Sequence, residues 1–437
     1  MRSHAWWFKK GLALDELRIL HAADLHIDSP MHGLVAYEGA PIDSLRNATR
    51  TAFQALVSEA IDRKVHLVLI AGDLYDGEWR DYNTGLFVSG QLGQLHEAGI
   101  GVVITYGNHD AASSVTRYLR FPPNTKVLSS RHPETHVFSD IGVAVHGQSY
   151  PTRSVTEDLS LAYPDAMEGL VNIGMLHTCL DGSFGHDPYA PCKLDELKSK
   201  RYDYWALGHV HNRRVVCDDP PIVFPGNLQG RHIRETGPKG ATLVTFFDKE
   251  PHLQELVFDA VRWELCQVDV SGAKTFDECL DLCQARLFEV LESGAEAYAV
   301  RVELYGPTAI DGPLRGNSDR LANEVRNIGL SKKGAEVWIE KVKVSTSASK
   351  GNRDIENSAL GAEIASVVNE LKESVSEIPE SASQMLAPLK ALRSQLRVSG
   401  ISSEDDPTTD LQLLQALEDA ADLLIARLGS RNDSSAN

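Results

Sequence analysis

Five short groups of polar residues in the first half of the sequence carry side chains of the types that bind metal ions. Each group follows an apolar stretch, and in chain order they are Asp24-Leu-His26, Gly72-Asp73-Leu-Tyr-Asp76, Gly107-Asn108-His109-Asp110, the lone His177 and Gly208-His209-Val-His211. Mixed carboxylate, amide and imidazole donors suit manganese, iron or zinc better than an all-cysteine structural zinc site. Because sites in layered α/β folds assemble where strands end, we predict that these groups meet at one metal centre.

The predicted centre has more donors than one ion needs. One divalent ion takes about four to six ligands, whereas seven donor residues are present: Asp24, His26, Asp73, Asn108, His177, His209 and His211. Two ions about 3.5–4 Å apart that share a carboxylate hold both oxygens of an in-line displacement at phosphorus. Asp73 is the predicted bridge, because Gly72 lets its backbone approach closely. His209 and His211 are two residues apart, and on an extended segment they point the same way and serve both ions.

Each group also has a structural interpretation when it is taken alone. An Asp-x-His pair arises often by chance, Gly72-Asp73 is compatible with a simple turn, and a lone histidine such as His177 is more often a satisfied core or loop residue. The tetrapeptide at Gly107–Asp110 is rarer, with chance odds of roughly 0.003 in such a chain, and the Gly-His-x-His group adds a factor of roughly 0.05. Because the five groups occur in order, each at the end of a predicted strand, a shared metal site is favoured over five separate structural roles.

The elements that position these groups alternate strands and helices. Predicted strands cover Arg18–Ala22, Val65–Ile70 and Gly101–Thr105, and predicted helices cover Leu45–Asp62 and Tyr82–Glu97 between them. Six further strands are predicted, at Ile141–His146, Val171–His177, Tyr204–Leu207, Ile222–Phe224, Ala241–Phe247 and His252–Phe258. This order predicts an α/β fold in which two sheets pack as a sandwich with helices outside.

Beyond this domain, the pattern predicts a small α/β unit and a helical tail. Residues 260–346 read as strand, helix, strand, helix, strand, and the polar stretch Ser345–Arg353 is a predicted linker. The predicted organisation is an N-terminal extension (1–17), the main domain (18–259), the small unit (260–346) and the linker with helices (347–437). The tail has two interpretations: an appendage packed on its own domain, or a docking segment whose apolar stripe meets a partner.

Composition restricts the class of protein. The chain has 437 residues, 43 Lys+Arg against 61 Asp+Glu, and a formal net charge of −18, which argues against a basic protein that coats nucleic acid. No apolar run approaches the ~20 residues of a membrane span, and Met1–Lys10 lacks the apolar core of a signal peptide. Six scattered cysteines predict reduced thiols and a cytoplasmic protein. Cys279 and Cys283 are predicted core thiols rather than a metal pair.

One stretch near the predicted centre is locally basic. Residues 200–240 contain seven Lys or Arg residues and four Asp or Glu residues, and Arg213 and Arg214 almost directly follow His211. These two arginines, with Arg231 and Arg234, are candidate contacts to the phosphates of a nucleic acid. The alternative interpretation is a solvated charged loop, and the sequence leaves both open.

The five groups resemble the calcineurin-like metallophosphoesterase superfamily, whose pattern is DxH, GDxxD, GNHD, H and GHxH. The resemblance covers about Arg18–Phe258. Longer stretches are similar to the SbcD/YhaO-type DNA repair exonuclease branch: RILHAADLHIDSP, LIAGDLYD, HTCLDGSFGHDPYAPC, YDYWALGHVHNRRVV and FPGNLQGRHIRETGPKG. That branch implies a sandwich flanked by helices, a capping domain, and a C-terminal segment that docks on an SMC-like ABC-type ATPase. A homodimer is a further assembly to test.

The resemblance also implies a role for each motif residue. Asp24, His26, Asp73 and His211 would hold the first ion, and Asp73, Asn108, His177 and His209 the second. His109 would protonate the leaving oxygen or stabilise charge on the phosphoryl group, and Asp110 would fix the loop. Some relatives place a histidine where this chain has Asp76, which leaves two roles for Asp76: to orient His109 or to complete the loop.

These features together predict a phosphodiester hydrolase that uses two divalent ions, with manganese favoured over iron or zinc. The expected substrate is DNA, and the expected context is DNA repair with the ATPase partner. One alternative is a small-molecule phosphodiesterase or phosphatase of the same superfamily. A second alternative is a subunit that mainly scaffolds an ATPase complex, against which the intact ligand set argues. The expected activity on DNA is that of an exonuclease or an endonuclease.

Overall fold

The computed structural model describes residues 16–29, 41–76, 82–112, 120–180 and 190–349, together with the single residue 366. The strands are β1 (Leu17–Ala22), β2 (Leu67–Ala71), β3 (Gly101–Thr105), β4 (Thr125–Val127), β5 (Glu134–Phe138), β6 (Val143–Gly147), β7 (Val171–His177), β8 (Tyr204–Gly208), β9 (Arg214–Asp218), β10 (Pro221–Phe224), β11 (Gly240–Phe247), β12 (Glu250–Val257), β13 (Arg262–Asp269), β14 (Ala297–Thr308) and β15 (Glu336–Ala348). The helices are α1 (Ile42–Asp62), α2 (Tyr82–Glu97), α3 (Asn108–Ala112), α4 (Leu194–Ser199), α5 (Phe276–Val290), α6 (Asp311–Gly316) and α7 (Ser318–Ser331).

Two six-stranded sheets form the larger part of the described chain. The first has the order β12-β11-β1-β2-β3-β4, and its strands β1 to β4 run parallel. The second has the order β5-β6-β7-β8-β10-β9, and β6, β7, β8 and β10 run parallel. Parallel neighbours bring their carboxyl ends to the same edge of a sheet, so the residues that follow β1, β2 and β3 are neighbours, as are those that follow β7 and β8.

The two sheets pack face to face, with helices on their outer faces. Between the sheets lies an apolar cluster that takes Ile19 and Leu69 from the first sheet and Ile173 and Ala206 from the second. Helices α1 and α2 cover the other face of the first sheet through residues such as Phe53. A second cluster, which includes Trp205, covers the other face of the second sheet. Successive residues of a strand contribute to different clusters, because their side chains point to opposite faces of the sheet.

The described chain divides into two compact units. The first comprises residues up to 264 with 294–299 and 334–338, and the second comprises 265–293, 300–333 and the residues from 339 onward. A three-stranded sheet has the order β13-β14-β15. In the second unit, α5 begins at the capping side chain of Thr275 and buries Cys279, Cys283 and Leu287. Arg301 donates two hydrogen bonds, of 2.8 and 2.6 Å, to the carboxylate of Glu340.

The predicted fold class is confirmed by the two sheets and their flanking helices. One prediction was wrong in part: β15 continues to Ala348, so the first residues of the predicted linker Ser345–Arg353 belong to a strand. Hydrogen bonds from the hydroxyls of Ser345 and Thr346 to Glu303 and Asp311 hold this end. Apart from Ser366, the predicted helices of the tail lie outside the described residues, as does nearly all of the N-terminal extension.

Two smaller expectations concern cysteines and membranes. The six cysteines, all within the described residues, form no disulfide bond, and Cys279 and Cys283 are buried, as predicted for core residues. Among the helices that the structure describes, none combines the length and apolarity that a membrane span needs.

Candidate metal centre

The carboxyl ends of five strands bring the predicted ligands together. Asp24 and His26 follow β1, Asp73 follows β2 and Asn108 opens α3 directly after β3. His177 is the last residue of β7, whereas the Gly-His-x-His group begins at the end of β8. Six of the seven ligand residues are buried, and His211 is partly exposed. The predicted convergence on one site is therefore what the fold produces.

The ligand atoms fall into three overlapping groups, in each of which they lie within 4.8 Å of one another. The groups are Asp24, His26 and His211; His26, Asp73 and His109; and Asp24, Asp73 and His177. Asp24, His26 and Asp73 each belong to two of these groups, so the groups form one continuous site. His177 Nε2 lies 3.4 Å from Asp73 Oδ2 and 3.0 Å from the side-chain oxygen of Asn108, so Asn108 belongs to the same set.

The donor chemistry of the site fits divalent metal ions. The Nε2 atoms of His26 and His211 face each other at 3.3 Å. Each neutral imidazole has one nitrogen lone pair, and two such lone pairs converge best on a shared cation. Asp24 and Asp73 are each 1% exposed, and buried carboxylates need hydrogen bonds, opposite charge or a metal.

Electrostatics support the same conclusion. Burial raises the pKa of Asp24, and the nearby charge of Asp73 raises it further. Burial also opposes ionisation of Asp73, yet His177 and His109 hold the pKa of Asp73 well below its ordinary value. Burial disfavours a proton on His177, but Asp73 raises the pKa of His177 to about 9. The carboxylates thus demand positive charge that a proton on His177 or a metal ion can supply, and metal binding displaces the proton.

The backbone at the strand ends is held in an unusual conformation. Asp24, His26 and Asp73 have φ angles of 51°, 43° and 49°, in the left-handed region that residues with a Cβ seldom adopt. Backbone hydrogen bonds from Asp24 N to Gly72 O (3.1 Å) and from His26 N to Asp73 O (3.0 Å) join the two loops in this geometry. Such conformations cluster at functional sites, where the surrounding structure enforces them.

The extended geometry predicted for His209 and His211 is not observed. His209 has a φ of 101°, and its backbone N–H donates to both carboxylate oxygens of Asp24, at 3.1 and 3.0 Å. The ring of His211 lies near His26, with ring centroids 5.2 Å apart, and the ring of His209 lies at the same distance from His177. The turn at His209, rather than strand alternation, sends the two rings to different partners.

Two glycines are needed because side chains pack against their Cα atoms. A Cβ on Gly72 would lie 2.1 Å from His177 Nδ1, and a Cβ on Gly107 would lie 2.3 Å from Asp73 Oδ1. Gly72 also has a φ of 92°. The close approach that the sequence predicts at Gly72 is therefore present, and Gly107 has the same function.

Asp76 orients His109. His109 Nδ1 lies 2.8 Å from Asp76 Oδ1, and Ser29 donates a 2.5 Å hydrogen bond to Asp76 Oδ2. Burial opposes ionisation of Asp76, but the His109 hydrogen bond and the charges of His26 and Arg231 hold the pKa of Asp76 well below its ordinary value. Burial opposes a proton on His109, whereas Asp73 and Asp76 raise the pKa of His109. Of the two roles left open for Asp76, the structure supports orientation.

Asp110 fixes the loop, as the resemblance implies. Its carboxylate accepts hydrogen bonds from the backbone N–H groups of Leu74, Tyr75 and Gly107, at 3.2, 2.9 and 3.1 Å. Burial, together with the charge of Asp73, raises the pKa of Asp110 to about 7. This residue thereby ties the loop after β2 to the loop after β3, which carry Asp73 and Asn108.

The four candidate DNA-contacting arginines lie in different environments. Arg213 is partly buried, with Nε 3.7 Å from Glu255 Oε2, and Arg214 is exposed at the start of β9. Arg234 is exposed. Arg231 is largely buried and faces two carboxylates, those of Asp76 (3.7 Å) and Glu235 (3.0 Å).

Glu235 is a residue of the site that sequence reasoning missed. Its Oε1 lies 2.6 Å from Nδ1 of the predicted ligand His211, and the residue is 5% exposed. Twenty-four positions separate the two residues, so no local motif joins them. The available signal was weak: Glu235 is the one acidic residue of the short basic segment Arg231–Lys239.

Comparisons with known proteins agree with this geometry. The family described as calcineurin-like phosphoesterase matches residues 17–213, and the middle domain of metallophosphoesterase YhaO matches residues 263–347. The uncharacterized metallophosphoesterase YhaO of Bacillus subtilis is 34% identical over 297 residues, which cover 67% of this chain and 72% of that protein. The DNA double-strand break repair protein Mre11 of Methanopyrus kandleri is 28% identical over 290 residues.

Coverage differs between these relatives. The match to Mre11 covers 60% of this chain and 61% of the relative, so the chain spans less than two thirds of that protein. Among solved structures, a dimetal phosphatase from Danio rerio is 10% identical with a TM-score of 0.34, and the match covers 56% of this chain and 99% of that one.

Proposed function

Because the chain belongs to the calcineurin-like metallophosphoesterase family, we propose that it is a two-metal phosphodiester hydrolase acting on DNA in repair. The observation that carries this proposal is the cluster of five candidate metal ligands beside the His109–Asp76 pair, which Asn108 and His209 join through their contacts with His177. Hard oxygen donors and neutral imidazoles in this number suit two divalent ions. Manganese is the proposed metal, with iron and zinc as alternatives.

The residues divide between two proposed ion sites. Asp24, His26 and His211 would hold one ion and Asn108, His177 and His209 the other, with Asp73 shared between them. When bound, such ions lower the pKa of water toward neutrality and neutralise charge on the phosphoryl oxygens. The left-handed backbone at Asp24, His26 and Asp73 presents these side chains before any ion arrives, which lowers the cost of organising the site.

His109 has the position and the proton for general acid catalysis. Its Nδ1–H donates to Asp76, which leaves Nε2 to carry the second proton of the imidazolium toward the leaving oxygen. Asp73 and Asp76 raise the pKa of His109, so more of the acid form is present near neutral pH. His109 also stabilises negative charge on the phosphoryl group in this arrangement.

DNA is the proposed substrate for two reasons. A relative matched over 290 residues is a DNA double-strand break repair protein. In addition, Arg213 and Arg214 follow His211 closely, and the exposed Arg234 lies in the loop between β10 and β11, where cations can contact phosphates that flank the scissile one. Arg231, the fourth candidate from the sequence, is largely buried against Asp76 and Glu235 and is not part of this proposed contact. We further propose that residues 347–437 dock on an SMC-like ABC-type ATPase in the cytoplasm, and that a homodimer is one candidate assembly.

A nuclease assay tests the proposal. The manganese-loaded full chain is given duplex DNA labelled at either end, single-stranded DNA and bis(4-nitrophenyl) phosphate, with and without an SMC-like ATPase and ATP. We expect a higher kcat/KM on DNA than on the aryl diester and stimulation by the ATPase. Preferential turnover of small phosphomonoesters or cyclic nucleotides would contradict a DNA substrate. A purified chain that holds no metal and hydrolyses nothing would instead support a scaffolding subunit.

A further inference from the structure

A buried cluster of charged and polar residues contacts His211, the partly exposed ligand residue of the candidate metal centre. It consists of Glu235, Arg231 and Asn227, all in the loop between β10 and β11. The carboxylate of Glu235 lies 2.6 Å from His211 Nδ1 and accepts hydrogen bonds from the Arg231 side chain (3.0 Å), the Arg231 backbone (2.8 Å) and Asn227 (3.0 Å). Each partner is a donor, so the carboxylate is satisfied as an anion.

The contact with His211 determines which nitrogen of that ring faces the metal centre. A carboxylate accepts but does not donate, so the short contact requires a hydrogen on Nδ1 of His211. In the neutral ring, which is the form that binds a metal, Nε2 then has the lone pair, and it is Nε2 that lies 3.3 Å from His26 Nε2. A carboxylate behind a ligating imidazole fixes the ring and increases its basicity.

Arg231 extends the cluster to the catalytic histidine. Its Nη2 lies 3.0 Å from Glu235 Oε1, and its Nη1 lies 3.7 Å from Asp76 Oδ2. Asp76 in turn holds His109. The side chain of Arg231 is 15% exposed and that of Glu235 is 6% exposed, so water screens these charges weakly.

The loop that carries the cluster is itself anchored to the segment around His211. Asn227 N donates to His211 O (3.2 Å), and Lys239 Nζ donates to the same oxygen (3.2 Å). Gly226 has a φ of 81°, and a Cβ there would lie 2.9 Å from both Arg213 N and His211 O. Close backbone packing therefore fixes Glu235 relative to the ring that it contacts.

We propose that Glu235 and Arg231 are positioning residues that join the two functions of the site. Glu235 sets the tautomer and orientation of His211 and so determines metal affinity. Arg231 pairs with the carboxylates of both Glu235 and Asp76, and through them it couples the ligand His211 to the acid His109. This inference rests on the proposed metal centre, but it does not depend on which phosphodiester is the substrate.

The decisive test is Glu235→Gln, which keeps the shape of the side chain and removes its charge. Isothermal titration of metal-free protein with manganese should show an affinity about 10–100-fold below wild type. The manganese concentration that half-activates hydrolysis of bis(4-nitrophenyl) phosphate should rise by a similar factor. Wild-type manganese affinity in a folded Glu235→Gln variant would overturn the role of Glu235.

Arg231→Gln tests the coupling between His211 and His109. It also provides a second test of the proposal if Glu235→Gln does not fold. We expect kcat at saturating manganese to fall about tenfold and manganese affinity to fall severalfold, because the carboxylates of Asp76 and Glu235 both lose the guanidinium that pairs with them. Asp76→Asn should lower kcat, and the double variant should lose less than the product of the two single effects. Unchanged kcat and affinity in Arg231→Gln, or independent effects in the double variant, would refute the coupling.

The chain provides a matched control. Glu59, in the last turn of α1, and Arg63, the residue that follows the helix, form an ion pair of the same i, i+4 spacing. Their atoms lie 2.5 Å apart, and both side chains are more exposed than those of Glu235 and Arg231. Glu59→Gln and Arg63→Gln should leave manganese affinity and kcat at wild-type values, and equal losses there would show a general charge effect. Metal titration needs no substrate, so inactivity on DNA would count against the proposed function alone.

Discussion

The carboxylates of Asp73 and Glu340 are both buried, but they have different kinds of partner. Glu340, in the second unit, accepts two hydrogen bonds from the guanidinium of Arg301, which neutralises its charge in one flat pairing. Asp73, at the metal centre, faces the imidazole nitrogens of His177 (3.4 Å) and His26 (3.9 Å), and the carboxylate of Asp24 is close enough to share a cation with it. One carboxylate has a permanent cation as its partner, and the other faces imidazoles whose protons a metal ion can replace.

This difference separates structural from functional burial of charge. A buried ion pair holds a fold together when both partners stay, and it costs stability when one is removed. A cluster of buried carboxylates and imidazoles, in which protons supply the balancing charge, instead gains stability when metal ions replace those protons. Mutation of a buried ion pair should change the free energy of unfolding. Mutation of the metal-binding cluster should instead change metal affinity and turnover.

The largest expected effect is at the shared carboxylate. Asp73→Ala should lower metal-dependent phosphodiester hydrolysis by about 10³-fold or more, because both proposed ions lose a ligand. Removing a buried carboxylate from a cluster of carboxylates should leave the fold intact, which circular dichroism and thermal unfolding of the metal-free protein will check. Activity close to wild type would exclude Asp73 as the bridge.

His109→Ala should come next, with a loss of about 10²–10⁴-fold in kcat. The variant should retain its metal, because His109 acts as an acid and not as a required ligand in the proposed arrangement. Elemental analysis beside steady-state kinetics distinguishes these roles. Loss of metal together with activity would instead assign His109 to the ligand set.

In the second unit, the expected change is in stability rather than activity. Glu340→Gln should lower the free energy of unfolding by about 2–3 kcal/mol, since Arg301 keeps its charge and loses a carboxylate. The side chain of Arg301 is 27% exposed, so the loss should be smaller than for a fully buried pair. Denaturant unfolding measures it, and bis(4-nitrophenyl) phosphate hydrolysis at saturating manganese should be unchanged. A large kinetic effect would contradict the distinction between the two regions.

His21 extends the comparison to a buried imidazole outside the ligand set. Tyr204 OH lies 2.8 Å from its Nδ1 and Leu207 O lies 3.1 Å from its Nε2, so the neutral ring is satisfied, and burial lowers the pKa of His21 to about 3. As the pH falls, the unfolded chain therefore binds a proton at His21 before the folded protein does. This difference should lower the free energy of unfolding by about 2 kcal/mol between pH 6.5 and 5. Unfolding of wild type and His21→Gln across this range measures the difference, and parallel pH curves would contradict it.

The sequence predicts best where local pattern and tertiary structure agree. Gly101–Thr105 and Val171–His177 have the predicted bounds because runs of apolar and β-branched residues end at turn residues or at a polar ligand. Strand β9 (Arg214–Asp218) was missed because its basic start resembles a loop. Helix α3 was missed because its five residues are too few to show a helical period.

At the site, residue types were predictable and their connections were not. The seven ligand residues follow from motifs whose spacing is short. The contact of Asp76 with His109 spans 33 positions, and that of Glu235 with His211 spans 24, so both depend on how the loops fold back. The turn at His209 was also hidden, because a positive φ in a residue with a Cβ is imposed by its surroundings.

The left-handed backbone at Asp24, His26 and Asp73 has a consequence for any attempt to make this protein more heat-resistant. Each such residue costs on the order of 1 kcal/mol that a glycine at the same position would not. Glycine there would also remove the mutual repulsion of Asp24 and Asp73. A library screened only for survival at high temperature should therefore accumulate glycine at these positions and enrich for inactive chains. Screening in the presence of limiting manganese reverses that preference, because only chains that keep the ligands gain stability from the metal.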